Sequence, residues 1–136
     1  MSPPELAGGA GKRTVFIADD DQIARELLKS VLSAAGLQVV GEAADGKQAV
    51  ADIKRLNPDV ACLDIDMPYL SGLDVLARVR GLNDKLIALI VTASPTAQNV
   101  REAIQVKADG VIAKPFNQEK IAGEISRAAA RKMLKR

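Results

Sequence analysis

From Arg13 onward, short apolar runs alternate with amphipathic stretches. The runs are VFIADDD (15–21), LQVVGEA (37–43), VACLDID (60–66), LIALIVTAS (86–94) and GVIAKPF (110–116). Each is four to eight residues of mainly β-branched or aliphatic character before a polar end, the pattern of a buried strand. Between them lie stretches with helical spacing. Residues 22–35 place Ile23, Leu27 and Val31 on one face, flanked by Ala24, Leu28 and Leu32, and Gly36 ends the helix. Asp45 and Gln48 form a capping-box pattern for a helix to about Leu56, which Asn57-Pro58 stops. Ser71 is the expected cap of a helix from about Gly72 to Gly81. Ser94-Pro95 supplies a cap and a first-turn proline before a helix ending near Lys107. Asn117 caps a last helix with Ile121, Ile125 and Ala128 on one face. Five βα units in succession, joined by right-handed crossovers, predict an α/β three-layer sandwich. No internal repeat at solenoid periods is present.

The ends of the chain differ from its middle. Residues 1–12 (MSPPELAGGAGK) lack periodicity and read as a disordered leader; 13–127 form one domain; 128–136 read as a basic extension of the last helix. A chain of 136 residues is one domain with a real core. Nearly half of it is hydrophobic, yet Phe16, Tyr69 and Phe116 are its only aromatic residues. A core of Ala, Val, Ile and Leu suits a parallel sheet covered on both faces. The net charge of +2 gives no ground for direct nucleic-acid binding. The single cysteine, Cys62, lies in a strand run, so it reads as a buried structural thiol in a cytoplasmic protein. No apolar stretch reaches the length of a membrane span, and no signal peptide is evident. There is no histidine, which removes histidine-dependent triads and histidine-ligated zinc.

Four of the five runs end in a residue that can bind a metal or a phosphate: Asp19 and Asp20, Asp64, Thr92, and Lys114. In a parallel sheet the C-terminal strand ends meet at one edge, where ligands bind. A carboxylate such as Asp64 can act as a nucleophile and form an acyl-phosphate. Clustered aspartates repel one another, so Asp19, Asp20 and Asp64 together imply a hard divalent cation such as Mg²⁺. Thr92 offers a hydroxyl and Lys114 a flexible cation to a phosphoryl group. Asp21, beside the first helix, reads as its cap.

These segments carry a resemblance. The paired acids of IADDD, the LDIDMP…SG block, TAS and AKPF fall in the order and spacing of the receiver domain of bacterial response regulators, over 13 to about 127. The resemblance implies a flavodoxin-like, five-stranded parallel sheet in order 2-1-3-4-5 with five helices. It further implies that Asp64 accepts a phosphoryl group from the phosphohistidine of a sensor histidine kinase or phosphotransfer protein. Asp20, Asp64 and the backbone carbonyl of Asp66 hold Mg²⁺ on this reading, with Asp19 assisting. Thr92 and Lys114 grip the phosphoryl group, and the Lys114-Pro115 bond is cis. The expected role is a signalling phosphoacceptor in a two-component system, not an enzyme beyond its own phosphorylation and slow dephosphorylation.

The chain departs from the family in ways that bear on signalling. Many members carry a switch aromatic three residues before the lysine, where this sequence has Val111. Signalling is then expected to rely on the Thr92 loop and the helix after it. Asp66 and Ser94 flank the path of water to an acyl-phosphate, so the acidic Asp66 is expected to alter its lifetime. With no second domain in this sequence, output is expected through the last two helices and last strand, toward a downstream protein, an output domain or a phosphorylation-dependent homodimer. Three rival readings exist. Asp64-Ile65-Asp66 looks like the DxD of haloacid-dehalogenase-like phosphatases, but that family places its DxD first in motif order and its paired acids last. A non-phosphorylated receiver-like module usually lacks an acid, the Thr or the Lys, and none is missing here. A flavodoxin-like cofactor binder needs a phosphate loop after the first strand, where Asp19–Asp21 repel phosphate.

Overall fold

The computed structural model describes residues 12–134. Elements follow in the order β1 (Thr14–Ala18), α1 (Gln22–Ala34), β2 (Gln38–Ala43), α2 (Gly46–Leu56), β3 (Val60–Asp64), α3 (Gly72–Val79), β4 (Ile87–Thr92), α4 (Ala97–Gln105), β5 (Gly110–Ala113) and α5 (Gln118–Leu134), with a 3₁₀ turn at Arg80–Leu82. The strands form one parallel sheet in order β2-β1-β3-β4-β5, as the resemblance implies. The expected leader lies almost wholly outside the described residues.

Strand alternation divides the core between the two faces of the sheet. Val15, Ile17, Val60, Cys62, Leu89, Val91 and Ile112 pack with Leu28 and Leu32 of α1 and with Ile121, Ile125 and Ala128 of α5. Phe16, Ala18, Ala61, Leu63, Ala88 and Ile90 face Ala49 and Ile53 of α2, Leu73 and Leu76 of α3, and Ala103 of α4. Side chains of successive strand residues point to opposite faces, so a strand covered by helices on both sides must be apolar throughout. β3 and β4 are buried at every position. Cys62 is free and buried, and burial pushes its thiol up to about 12, which leaves it an inert packing group.

The expected helices are present with local corrections. In α1 the face toward the core is Leu28 and Leu32. Ile23 is 78% exposed and Leu27 49%, while Val31 is half-buried. The apolar stripe is wider than the buried one, and docking against β1 and β2 chose its Leu28–Leu32 side. The cap of α4 is Thr96, whose side chain accepts from the Asn99 amide; Ser94 and Pro95 lie before the helix. Asp45 caps α2 by accepting from the Gln48 amide, but the Gln48 side chain donates to Asp52, so the box is only half formed. Ser71 and Asp74 make a full reciprocal box at α3, which ends at Val79 and passes into the 3₁₀ turn. Asn57, in the left-handed region at φ 47°, terminates α2.

The last helix is more than a solvated basic extension. Ala128 is buried in the core. Arg131 donates to the Asp109 carbonyl, while Lys132 donates to the Asp84 carbonyl and pairs with Asp109 at 3.2 Å. These bonds fasten the end of α5 to the loops at the N-terminal edge of the sheet. Asp109 also pairs with the nearly buried Arg80, which reaches the Leu86 and Lys107 carbonyls as well.

Candidate functional site

Strands β1 and β3 are neighbours in the sheet, with Ala18 opposite Leu63. Residues just beyond them therefore meet at the same edge, and Asp19 and Asp20 stand beside Asp64. One carboxylate oxygen from each lies within 4.8 Å of the others. Asp19 is 1% exposed and Asp64 5%, whereas Asp20 is exposed. From the other side, β5 lies beside β4 with Ala113 opposite Thr92, and the Lys114 amide donates to the Thr92 carbonyl at 2.8 Å. Lys114 Nζ reaches back across the edge to Asp19 Oδ2 at 2.7 Å and to Asp64 Oδ1 at 3.7 Å. The Lys114-Pro115 bond is cis.

Asp19 is tied at each polar group. Its amide donates to the Ala43 carbonyl, Oδ1 accepts from the Asp21 amide, and Oδ2 accepts from Lys114. Its carbonyl accepts from Arg25 Nη1. The Asp64 backbone has a neighbour of its own. A Cβ at Gly72 would collide with the Asp64 carbonyl oxygen, so α3 can start this close to β3 only because that residue is glycine.

Burial, and then the charge of Asp19, push the Asp64 carboxyl up from 3.8 to about 6, against the pull of Lys114 and of the Asp66 amide. Burial also works against the charge of Lys114, but the Asp19 hydrogen bond and the charges of Asp64, Asp19 and Asp20 outweigh it and hold its pKa above the ordinary value. Two unit charges ~5 Å apart repel by about 3 kcal/mol at an effective dielectric of about 20. Three carboxylates against one ammonium leave a net charge of −2 at the cluster. An all-oxygen set with that charge deficit fits a hard divalent cation.

The remaining expected residues are placed as follows. Thr92 is fully buried at the end of β4, and its hydroxyl oxygen accepts from the Ser94 amide at 2.9 Å. Asp66 and Ser94 are exposed on the loops flanking the acids. Asp21 caps α1 by accepting from the Ile23 amide. Val111 is half-buried and packs against the core. Tyr69 is held at φ 69° and exposed, with Lys47 Nζ 4.9 Å from its ring centroid. Arg25 was not singled out by the sequence, because its acidic partner Glu42 is 17 residues away on β2.

A parallel sheet in this order, with paired acids, a strand-end aspartate, a threonine and a lysine at one edge, defines a receiver-type α/β domain. The family model for the response regulator receiver domain matches residues 15–126, and the chain belongs to that family. It is 33% identical over 119 residues to the chemotaxis protein CheY of Thermotoga maritima, covering 88% of this chain and 98% of that one. It superposes on the signal receiver domain of the response regulator NarL of Mycobacterium tuberculosis with a TM-score of 0.81 and 34% identity, covering 88% and 97% of the two chains. A CheX–CheY–BeF3–Mg²⁺ complex from Borrelia burgdorferi gives a TM-score of 0.80 at 25% identity, covering 85% and 88%. No described helix is long and apolar enough to cross a membrane.

Proposed function

We propose that this chain is a phosphoacceptor of a two-component system, with Asp64 as the acceptor. The observation that carries the reading is the position of the Asp64 carboxylate, within 4.8 Å of the oxygens of Asp19 and Asp20 and 3.7 Å from Lys114. The phosphoryl donor on this reading is the phosphohistidine of a sensor histidine kinase or phosphotransfer protein, which lies on a partner because this chain has no histidine. An Asp64 oxygen forms a bond to phosphorus while the bond from phosphorus to the donor imidazole breaks; the electron pair stays on that nitrogen, which takes up a proton.

Asp20, Asp64 and the Asp66 backbone carbonyl would hold Mg²⁺, with Asp19 assisting. The Mg²⁺ in the complex of the related Borrelia CheY supports a magnesium ion for this family, and the cluster of Asp19, Asp20 and Asp64 is the donor set that suits it here. When bound, the ion supplies positive charge against the phosphoryl oxygens. Lys114 would neutralise charge on the transferred group, and the Thr92 hydroxyl would donate a hydrogen bond to it. Lys114 leaves Asp19 to do so, while Thr92, whose hydroxyl oxygen accepts from the Ser94 amide, turns its O–H toward the phosphoryl group. The resulting movement of the β4–α4 loop shifts a population between two states of the α4, β5 and α5 surface. That surface controls a downstream protein, an output domain or pairing with a second copy. The only chemistry catalysed is the domain's own phosphorylation and slow hydrolysis, and the setting is the cytoplasm.

The test is intact-mass measurement after incubation with acetyl phosphate and Mg²⁺. One phosphoryl adduct that requires both Mg²⁺ and Asp64 is expected, and Asp64→Ala serves as the control. An adduct that persists in Asp64→Ala would overturn the assignment.

A further inference from the structure

The loop carrying Asp19 and Asp20 is gripped by a side chain that springs from the helix it leads into. Arg25 lies in the second turn of α1, its amide donating to the Asp21 carbonyl. Side chains on a helix lean toward its N-terminus, which brings the guanidinium back over the β1–α1 loop. There Nη1 donates to the Asp19 carbonyl at 2.8 Å, while Nε donates to Glu42 Oε1 at 2.9 Å. The Arg25 side chain is only 15% exposed. Glu42 belongs to β2, beside Ile17 of β1 in the parallel register, so the strand next to the loop anchors the far side of the guanidinium. Lys29, one turn further along α1, takes the other Glu42 oxygen at 2.6 Å and pairs with Glu26. The Lys29 hydrogen bond, working against burial, holds Glu42 below its ordinary carboxylate range.

The Asp19 carbonyl and the Asp20 amide share one rigid peptide plane. A donor fixed on that carbonyl fixes the plane, and with it the direction in which the Asp20 side chain leaves the backbone. Asp20 is the exposed member of the acidic cluster, without the burial that immobilises Asp19 and Asp64. Its carboxylate therefore depends most on backbone orientation for its place.

We infer that Arg25, anchored by Glu42, is a positioning residue for the cation site: it fixes the Asp19–Asp20 peptide so that Asp20 is preset for Mg²⁺. This rests on the metal-site reading above and adds to it a polar group outside the ligand set. A guanidinium suits the task because its rigid planar fork aims Nη1 at the carbonyl and Nε at the carboxylate in one fixed geometry, whereas an ammonium is a single point charge on a flexible stem.

Sign separates this role from a simple charge effect. Arg25 is a cation near a cation site, so if only its charge mattered, removing it would tighten Mg²⁺ binding. Positioning requires the reverse. The experiment is calorimetric titration of Mg²⁺ into the unphosphorylated full chain for wild type, Arg25→Lys and Arg25→Met, with thermal midpoints in chelator to establish that each is folded. Arg25→Lys keeps the charge and loses the fork. Both variants are expected to bind Mg²⁺ about 10-fold more weakly, the usual scale for groups that orient metal ligands. Glu42→Ala, which frees the guanidinium without removing it, is expected to fall between them and wild type. Variants that are folded and bind as tightly as wild type would overturn the inference alone, as would tighter binding by Arg25→Met. Wild-type protein that takes up no Mg²⁺ would overturn the metal-site reading and this inference with it.

Discussion

Replacing Asp64 with Asn tests the electrostatic state of the site without requiring the kinase. In the fold the Asp64 carboxyl titrates at about 6, against an ordinary value of 3.8. At about 1.4 kcal/mol per pH unit, that gap makes the ionised form cost about 3 kcal/mol in the folded state. The side chain is 6% exposed at the open edge of the sheet, and solvent there trims the figure toward about 2 kcal/mol. Below 3.8 both folded and unfolded chains carry a protonated Asp64, and there is no penalty. Between 3.8 and about 6 the folded state binds the extra proton, so stability declines as pH rises, and above about 6 the full penalty is present. Asn has the shape of the protonated acid and cannot ionise. Asp64→Asn is therefore expected to exceed wild type by about 2–3 kcal/mol in chelator at pH 7.5, or roughly 10 °C in midpoint. That advantage should nearly vanish at pH 4. Urea unfolding followed by far-UV circular dichroism across pH 4–8 measures it directly. Saturating Mg²⁺ should stabilise wild type and leave Asp64→Asn almost unmoved, because ligand linkage acts only through a competent site. A variant less stable than wild type at pH 7.5 in chelator, or equally favoured at pH 4, would refute the reasoning.

Lys114→Met removes a charge that lowers the Asp64 pKa, so carboxyl-detected NMR should place Asp64 above about 6 in that variant. Asp109→Ala leaves Arg80, whose side chain is 10% exposed, without its carboxylate, and chemical denaturation should report a loss of about 3 kcal/mol. Ser71→Ala breaks the reciprocal box at α3 and should cost about 1 kcal/mol in the same assay. Asp66→Asn is expected to change the decay rate of the phosphoryl adduct followed by intact mass, and an unchanged rate would remove Asp66 from any part in its lifetime.

Much of this protein was legible in its sequence because the information is local. Apolar runs and caps set the five strands and five helices, since a strand buried on both faces has to be apolar along its length. The acids, the threonine and the lysine close or directly follow their strands, so a parallel arrangement was enough to bring Asp19, Asp20, Asp64, Thr92 and Lys114 to one edge. Ser71 and Asn57 act within a turn of where they stand, and both behaved as their local chemistry predicts.

Tertiary packing decided the rest. The stripe on α1 offered two adjacent apolar faces, and only docking against the sheet buried Leu28 and Leu32 while leaving Ile23 exposed. Ser94 and Thr96 are both competent caps, and the path of the chain leaving β4 chose Thr96. Arg131 and Lys132 looked like solvated charges until the end of α5 came down over Asp109. Arg25 and Glu42 meet because β2 lies beside β1, and the pKa of Asp64 rises because the fold buries it next to Asp19. A hydroxyl, an apolar stripe or a charge announces what a residue can do. Which partner it meets, and how much water is left around it, depends on groups distant in the chain and is set only when the layers close.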